Sequence, residues 1–117
     1  MSNSWISTKA RKWLYERDNL ICCYCERKCI IGATYELKGS KREKCATLDH
    51  IVPQKELAAA STDDKHFRQL RRDPKNLVVV CCSCNASKQD TPLYVWCKQT
   101  GKHYERILAE VARRIAL

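Results

Sequence analysis

Val78-Val79-Val80-Cys81-Cys82-Ser83-Cys84-Asn85-Ala86-Ser87-Lys88 joins three kinds of local structure in eleven residues. The β-branched run favours a strand. Cys81 and Cys84 have the two-residue gap that lets one metal ion accept both thiolates in a tight turn. Asn85 and Lys88 then follow at close to helical spacing, so a strand, a metal knuckle and the start of a polar helix are fused. Read this way, Cys81 and Cys84 form half of a structural zinc site and Asn85 faces a second metal. The rest of the chain has to supply the missing ligands.

The first of these lies upstream, in Ile21-Cys22-Cys23-Tyr24-Cys25. Cys22 and Cys25 repeat the same spacing, and with Cys81 and Cys84 they complete the closed tetrahedral thiolate set of a structural zinc. The other cysteines, Cys23, Cys29, Cys45, Cys82 and Cys97, read as buried thiols. Nine cysteines in 117 residues could instead suggest a secreted disulfide scaffold. The odd count, the clustering into knuckles and the lack of a signal-peptide pattern at the start argue against that. Thiolate ligands need a reducing compartment, so the expectation is a cytoplasmic protein. No apolar run approaches the length of a membrane span.

The length suits one domain over residues 1–117, with a core over about 18–97. Such a chain buries only about two-thirds of its unfolded surface, so a metal staple helps it fold. Lys and Arg total 22 against 13 Asp and Glu, a formal net charge of +9. That balance suits a polyanionic partner, because neutralising phosphates releases condensed counterions.

Periodicity places a helix over about 6–17, with Ile6, Ala10, Trp13, Leu14 and the stem of Arg17 on the core face and Arg11, Lys12 and Tyr15 opposite. Ser4 or Ser7 is its expected cap. A weak strand signal covers 30–37, and Lys38 to Lys44 reads as a basic loop. Ala46 to Val52 reads as a strand stopped by Pro53. Gln54 to Asp73 turns helical, with Ser61 and Asp64 fitting a capping box and Phe67 and Leu70 forming a small apolar face. Thr91-Pro92 starts another helix. The last one, over about 104–116, carries a stripe of Tyr104, Ile107, Leu108, Val111 and Ile115, with Glu110 and Arg114 on its outer side.

The long insert between the two knuckles contains Leu48-Asp49-His50-Ile51-Val52-Pro53. Adjacent strand residues point to opposite faces, so Asp49 and His50 diverge unless the strand bends at its end. A bend lets one ligate a metal while the other addresses a nearby water.

Taken together, Asp49-His50-Ile-Val-Pro, then Asn76-Leu77, then Cys81-x-x-Cys84-Asn85-x-x-Lys88 resembles the HNH endonuclease family in its zinc-stabilised form. The resemblance extends to Arg17-Asp18 and Cys22-x-Tyr24-Cys25 upstream and to Thr91-Pro92 downstream, covering roughly residues 6 to 97. It implies an α+β fold, a ββα-metal core with a four-cysteine structural zinc site and flanking helices. The strands would be Ala46 to Val52 and Leu77 to Val80, and the helix about Ser83 to Gln89. His50 matches the general base, and Asp49 and Asn85 match the ligands of a catalytic divalent ion. Asn76 matches an Asn that braces the loop through backbone groups.

Many members of the family have His where this chain has Asn85. A carboxamide oxygen is a harder, weaker ligand than imidazole, which favours Mg²⁺ or Mn²⁺. The implied activity is metal-dependent hydrolysis of DNA phosphodiesters. One site cuts one strand, so a monomer nicks, and a double-strand break calls for a homodimer, a protein partner or repeated nicking. Lys88, Lys41 and Arg42 are candidate phosphate contacts, each with a solvated residue as the bland alternative. The rival reading is a catalytically inactive, zinc-stapled nucleic-acid-binding module.

Overall fold

The computed structural model describes residues 5–32 and 36–117. In chain order its elements are α1 (Thr8–Arg17), α2 (Ser40–Glu43), β1 (Ala46–His50), α3 (Gln54–Ala60), α4 (Asp64–Arg71), β2 (Leu77–Cys81), α5 (Cys82–Lys88), α6 (Leu93–Thr100) and α7 (Tyr104–Ile115). The class is α+β. β1 and β2 pair antiparallel, with Ala46 opposite Cys81 and His50 opposite Leu77. α5 follows β2 without a connecting loop, so the centre of the molecule is a β-β-α unit.

Two isolated strands are marginal in water, and a sheet of this size needs other elements packed against it. All five residues of β2 are buried, with Leu77 to Cys81 at zero exposure. Leu14, Leu93, Trp96, Ile107 and Val111 join them in the core. α1 is capped by Ser7, whose hydroxyl accepts the Ala10 N–H at 3.0 Å. The chain then leaves α1 through Asn19 and Leu20, both at φ 54°, a left-handed pair that turns it sharply into the first knuckle. The Cys23 N–H donates to the Val79 carbonyl at 2.9 Å and docks that knuckle on β2.

The chain ends are tied to the same strand by charge. The Asp18 carboxylate accepts from Arg17 Nε at 2.7 Å, Arg114 Nη1 at 3.1 Å and the Val79 N–H at 2.8 Å. Arg17 also donates to the carbonyls of Pro74 (2.9 Å) and Leu77 (2.6 Å). All three side chains are buried. Arg114 therefore sits inside the molecule, where it completes this cluster and pairs with Glu110 at 2.6 Å, and not on the outer side of α7.

Several local expectations shift for identifiable reasons. Tyr15 turns inward because its hydroxyl donates to the Ala46 carbonyl at 3.3 Å. Trp13 remains 48% exposed, with the Arg17 guanidinium over its ring. The segment from Gln54 to Asp73 forms two helices instead of one, and the cap of the second is Asp63, which accepts the His66 N–H at 2.8 Å. Ser61 ends α3. Ser40 to Glu43 is helical where a basic loop was expected. Of the weak strand over 30–37, Ile30 forms a single parallel bridge with Cys45. Residues 33–35 lie outside the described residues, as does Ser4. No helix of the described residues is long and apolar enough to cross a membrane.

Removing Asp18 strands two buried guanidinium groups and one strand N–H. Asp18→Ala should lower unfolding free energy by about 3–5 kcal/mol, measured by chemical denaturation.

Candidate functional site

The four sulfurs of Cys22, Cys25, Cys81 and Cys84 lie within 4.8 Å of one another. Each knuckle is closed by an N–H···S bond: Cys25 N–H to Cys22 Sγ and Cys84 N–H to Cys81 Sγ, both at 3.4 Å. The second bond makes Cys81 the N-cap of α5, so the strand-to-helix junction and the sulfur cluster are one structure. The sulfurs compete for protons. Hydrogen bonds from Cys81 and Cys84 hold Cys22 far below the ordinary thiol range. The same contact with Cys22 pushes Cys84 well up and Cys81 up to about 11. A cation removes the conflict, because all four can then be thiolates. A zinc tetrahedron with bonds of about 2.3 Å has sulfur–sulfur edges of about 3.8 Å. Cys25 and Cys81 are 3.8 Å apart, so the donor set fits zinc. Cys23 and Cys29 stand apart from it as buried thiols pushed up to about 12, chiefly by burial.

Beyond the junction, Asp49, His50 and Asn85 line one cavity of about 250 Å³ together with Trp5, Gln54, Gln89 and Asp90. β1 ends at His50 and the chain bends. Asn76 holds the bend: its Oδ1 accepts the Val52 N–H at 2.8 Å and its Nδ2 donates to the Val52 carbonyl at 3.1 Å, while the Ile51 N–H reaches the Asn76 carbonyl at 3.0 Å. Asn76 therefore acts on backbone groups of the loop.

His50 is 7% exposed. Its Nε2 lies 2.8 Å from the Arg71 carbonyl oxygen. A carbonyl only accepts, so Nε2 carries the proton and Nδ1 is the basic nitrogen. Burial is the largest influence on this imidazole and lowers its pKa, opposed by the Arg71 carbonyl and Asp49. The ring is thus neutral near pH 7. Trp5 packs against it with ring centroids 5.1 Å apart.

Asp49 is 6% exposed. Burial raises its pKa, and Lys88 and Tyr24 pull the other way. Asn85 donates through Nδ2 to Thr47 Oγ1 at 2.9 Å and to the Leu48 carbonyl at 3.4 Å. Thr47 in turn donates to the Val80 carbonyl at 2.9 Å. Both donations use the amide nitrogen, and among the described residues the Asn85 side-chain oxygen has no hydrogen-bond partner. A carboxylate and a free carboxamide oxygen on a small polar cavity form a hard donor set, which fits Mg²⁺ or Mn²⁺.

Three candidate phosphate contacts separate here. Lys41 and Arg42 are exposed on α2. Lys88 is fully buried, with Nζ 3.1 Å from Asp49 Oδ2 and 3.2 Å from the His50 carbonyl, so neither phosphate contact nor a solvated position suits it. Burial of a lysine is rare unless it is paired, and the partner is a carboxylate that sequence spacing does not reveal. Tyr24, Thr47, Trp5 and the Arg71 carbonyl were likewise missed as parts of the site. Only Tyr24 carried a signal, its place inside the first knuckle.

No protein-family model matches the sequence. A search of characterised proteins finds 31% identity over 97 residues with the CRISPR-associated endonuclease Cas9 of Corynebacterium diphtheriae. The chain is similar to a segment of an endonuclease. The match covers 80% of this chain and 7% of the relative, so the chain spans a small part of that protein's length. Among solved structures, the Type II-C Cas9 enzyme from Actinomyces naeslundii aligns over 91% of this chain and 11% of that chain, with 26% identity and a TM-score of 0.48.

Because the sulfur cluster joins the first knuckle to the β2–α5 junction, its loss should unfold the domain. The expected zinc content is one ion per chain by elemental analysis. Cys84→Ser should lose both the ion and cooperative thermal unfolding, since such sites contribute about 10–16 kcal/mol of apparent binding energy.

Proposed function

We propose that this chain is an HNH-type nuclease domain that hydrolyses DNA phosphodiester bonds, with zinc in the four-cysteine site and Mg²⁺ or Mn²⁺ in the cavity. The observation that carries the reading is the convergence of Asp49, His50 and Asn85 on one cavity, with His50 neutral and its Nε2 committed to a carbonyl. Similarity to a segment of an endonuclease supports it. The net charge of +9 suits a nucleic-acid substrate.

In this mechanism His50 Nδ1 takes a proton from water as that water attacks phosphorus. The Arg71 carbonyl keeps the ring in the tautomer that leaves Nδ1 basic, and Trp5 packs against the ring. Asn76 fixes the bend that brings Asp49 and His50 to the same cavity. Asp49 and Asn85 would hold the divalent ion, which when bound neutralises charge developing on the phosphate and the departing 3′ oxygen. The chain offers one such cavity among the described residues, so a monomer nicks one strand. A reducing compartment such as the cytoplasm keeps nine thiols available.

The direct assay is relaxation of supercoiled plasmid with Mg²⁺ or Mn²⁺, with and without EDTA. His50→Ala should lower the rate about 10²–10⁴-fold while leaving zinc content and unfolding unchanged. Near wild-type cleavage by that variant would refute the role of His50. Absence of metal-dependent nicking under every condition would favour a zinc-stapled binding module without activity.

The pH dependence follows from burial. Only unprotonated His50 accepts a proton, so cleavage should be present at neutral pH and lost as pH falls through the lowered His50 pKa. The acid limb of the single-turnover pH–rate profile should therefore lie below the ordinary histidine value of about 6.5. A limb above that value would contradict the assignment.

A further inference from the structure

Asp49 is held on one side only. Its Oδ2 accepts the Tyr24 hydroxyl at 2.5 Å and lies 3.1 Å from Lys88 Nζ. Oδ1 has no hydrogen-bond partner among the described residues, although Asp49 lines the cavity. The two groups on Oδ2 have little freedom. Tyr24 is 1% exposed and packs against Trp96, with ring centroids 5.2 Å apart. Lys88 has no exposure and is further tied to the His50 carbonyl at 3.2 Å. Tyr24 belongs to the first knuckle and Lys88 to the last turn of α5, so both are referenced to the sulfur cluster.

We propose that Tyr24 and Lys88 are positioning residues that commit Asp49 Oδ2 to the scaffold, so that the carboxylate offers only Oδ1 to a divalent cation. The inference rests on the metal-dependent nuclease reading and specifies how the metal ligand is presented. Chelation through both oxygens would require displacing a buried hydroxyl and a buried ammonium together. One-oxygen ligation suits an octahedral ion that keeps several waters, as Mg²⁺ does. Partners of this kind orient a ligand without touching the metal, and their loss typically costs about 10–100-fold in metal affinity.

The test is Mn²⁺ binding to the zinc-loaded protein, followed by electron paramagnetic resonance of the free ion. Wild type, Asp49→Ala, Tyr24→Phe and Lys88→Met would be compared, with zinc content and thermal unfolding as controls on the fold. Tyr24→Phe and Lys88→Met should each weaken Mn²⁺ binding about 10–100-fold with zinc retained. Saturating Mn²⁺ should restore part of the nicking lost in Tyr24→Phe, which a merely structural defect would not allow. If Asp49→Ala abolishes binding while Tyr24→Phe and Lys88→Met bind as wild type does, the positioning role is overturned and the metal site stands. If Asp49→Ala binds as tightly as wild type, the metal-site reading falls, and this inference with it. Should Lys88→Met fail to fold, Tyr24→Phe alone decides.

Discussion

Four cysteine sulfurs within 4.8 Å of one another are an unfavourable arrangement for a chain to maintain by packing alone. They compete for protons, they sit where β2 becomes α5, and they join that junction to a knuckle far upstream in the sequence. A bound cation would turn that conflict into a constraint on the fold. The Asn85 side chain is carried on α5, Asp49 and His50 lie at the end of the partner strand, and Tyr24 lies in the first knuckle. Each of these groups takes its position from the same sulfur cluster, so the scaffold and the cavity are parts of one geometry.

A second constraint acts through charge. Asp18 gathers Arg17 and Arg114 against the middle of β2, tying α1 and α7 to the strand whose other end forms the second knuckle. Isolated buried ion pairs contribute little net stability, but a carboxylate that also accepts a strand N–H leaves several uncompensated groups if it is lost. The helices at both ends of the chain are thereby closed over a core too small to support a two-stranded sheet unaided.

The paired knuckles were legible from their spacing along the chain, whereas the β-β-α order and the grouping of Asp49, His50 and Asn85 were implied by the family resemblance, since alternation alone sends Asp49 and His50 to opposite faces. The groups that hold those side chains were not legible. Lys88 reads as a phosphate contact or a solvated helix residue until its carboxylate partner is known. Arg114 and Tyr15 fall on faces that periodicity assigns to solvent, yet hydrogen bonds to distant residues draw them inward. Trp13 shows the opposite error: its ring satisfies the helical period but finds a guanidinium instead of the core. Asp63 replaces Ser61 as a cap because the helical run breaks in two, a choice that local propensity does not make.

On the proposed reading, one fold presents two distinct cation sites, a closed sulfur site and an open oxygen site beside His50. Anomalous diffraction from crystals soaked in Mn²⁺ tests this most directly. The expected result is a zinc-edge peak among the sulfurs of Cys22, Cys25, Cys81 and Cys84, and a separate manganese peak held by Asp49 Oδ1 and the Asn85 amide oxygen. A manganese peak bound by other groups, or none at saturating Mn²⁺, would contradict it.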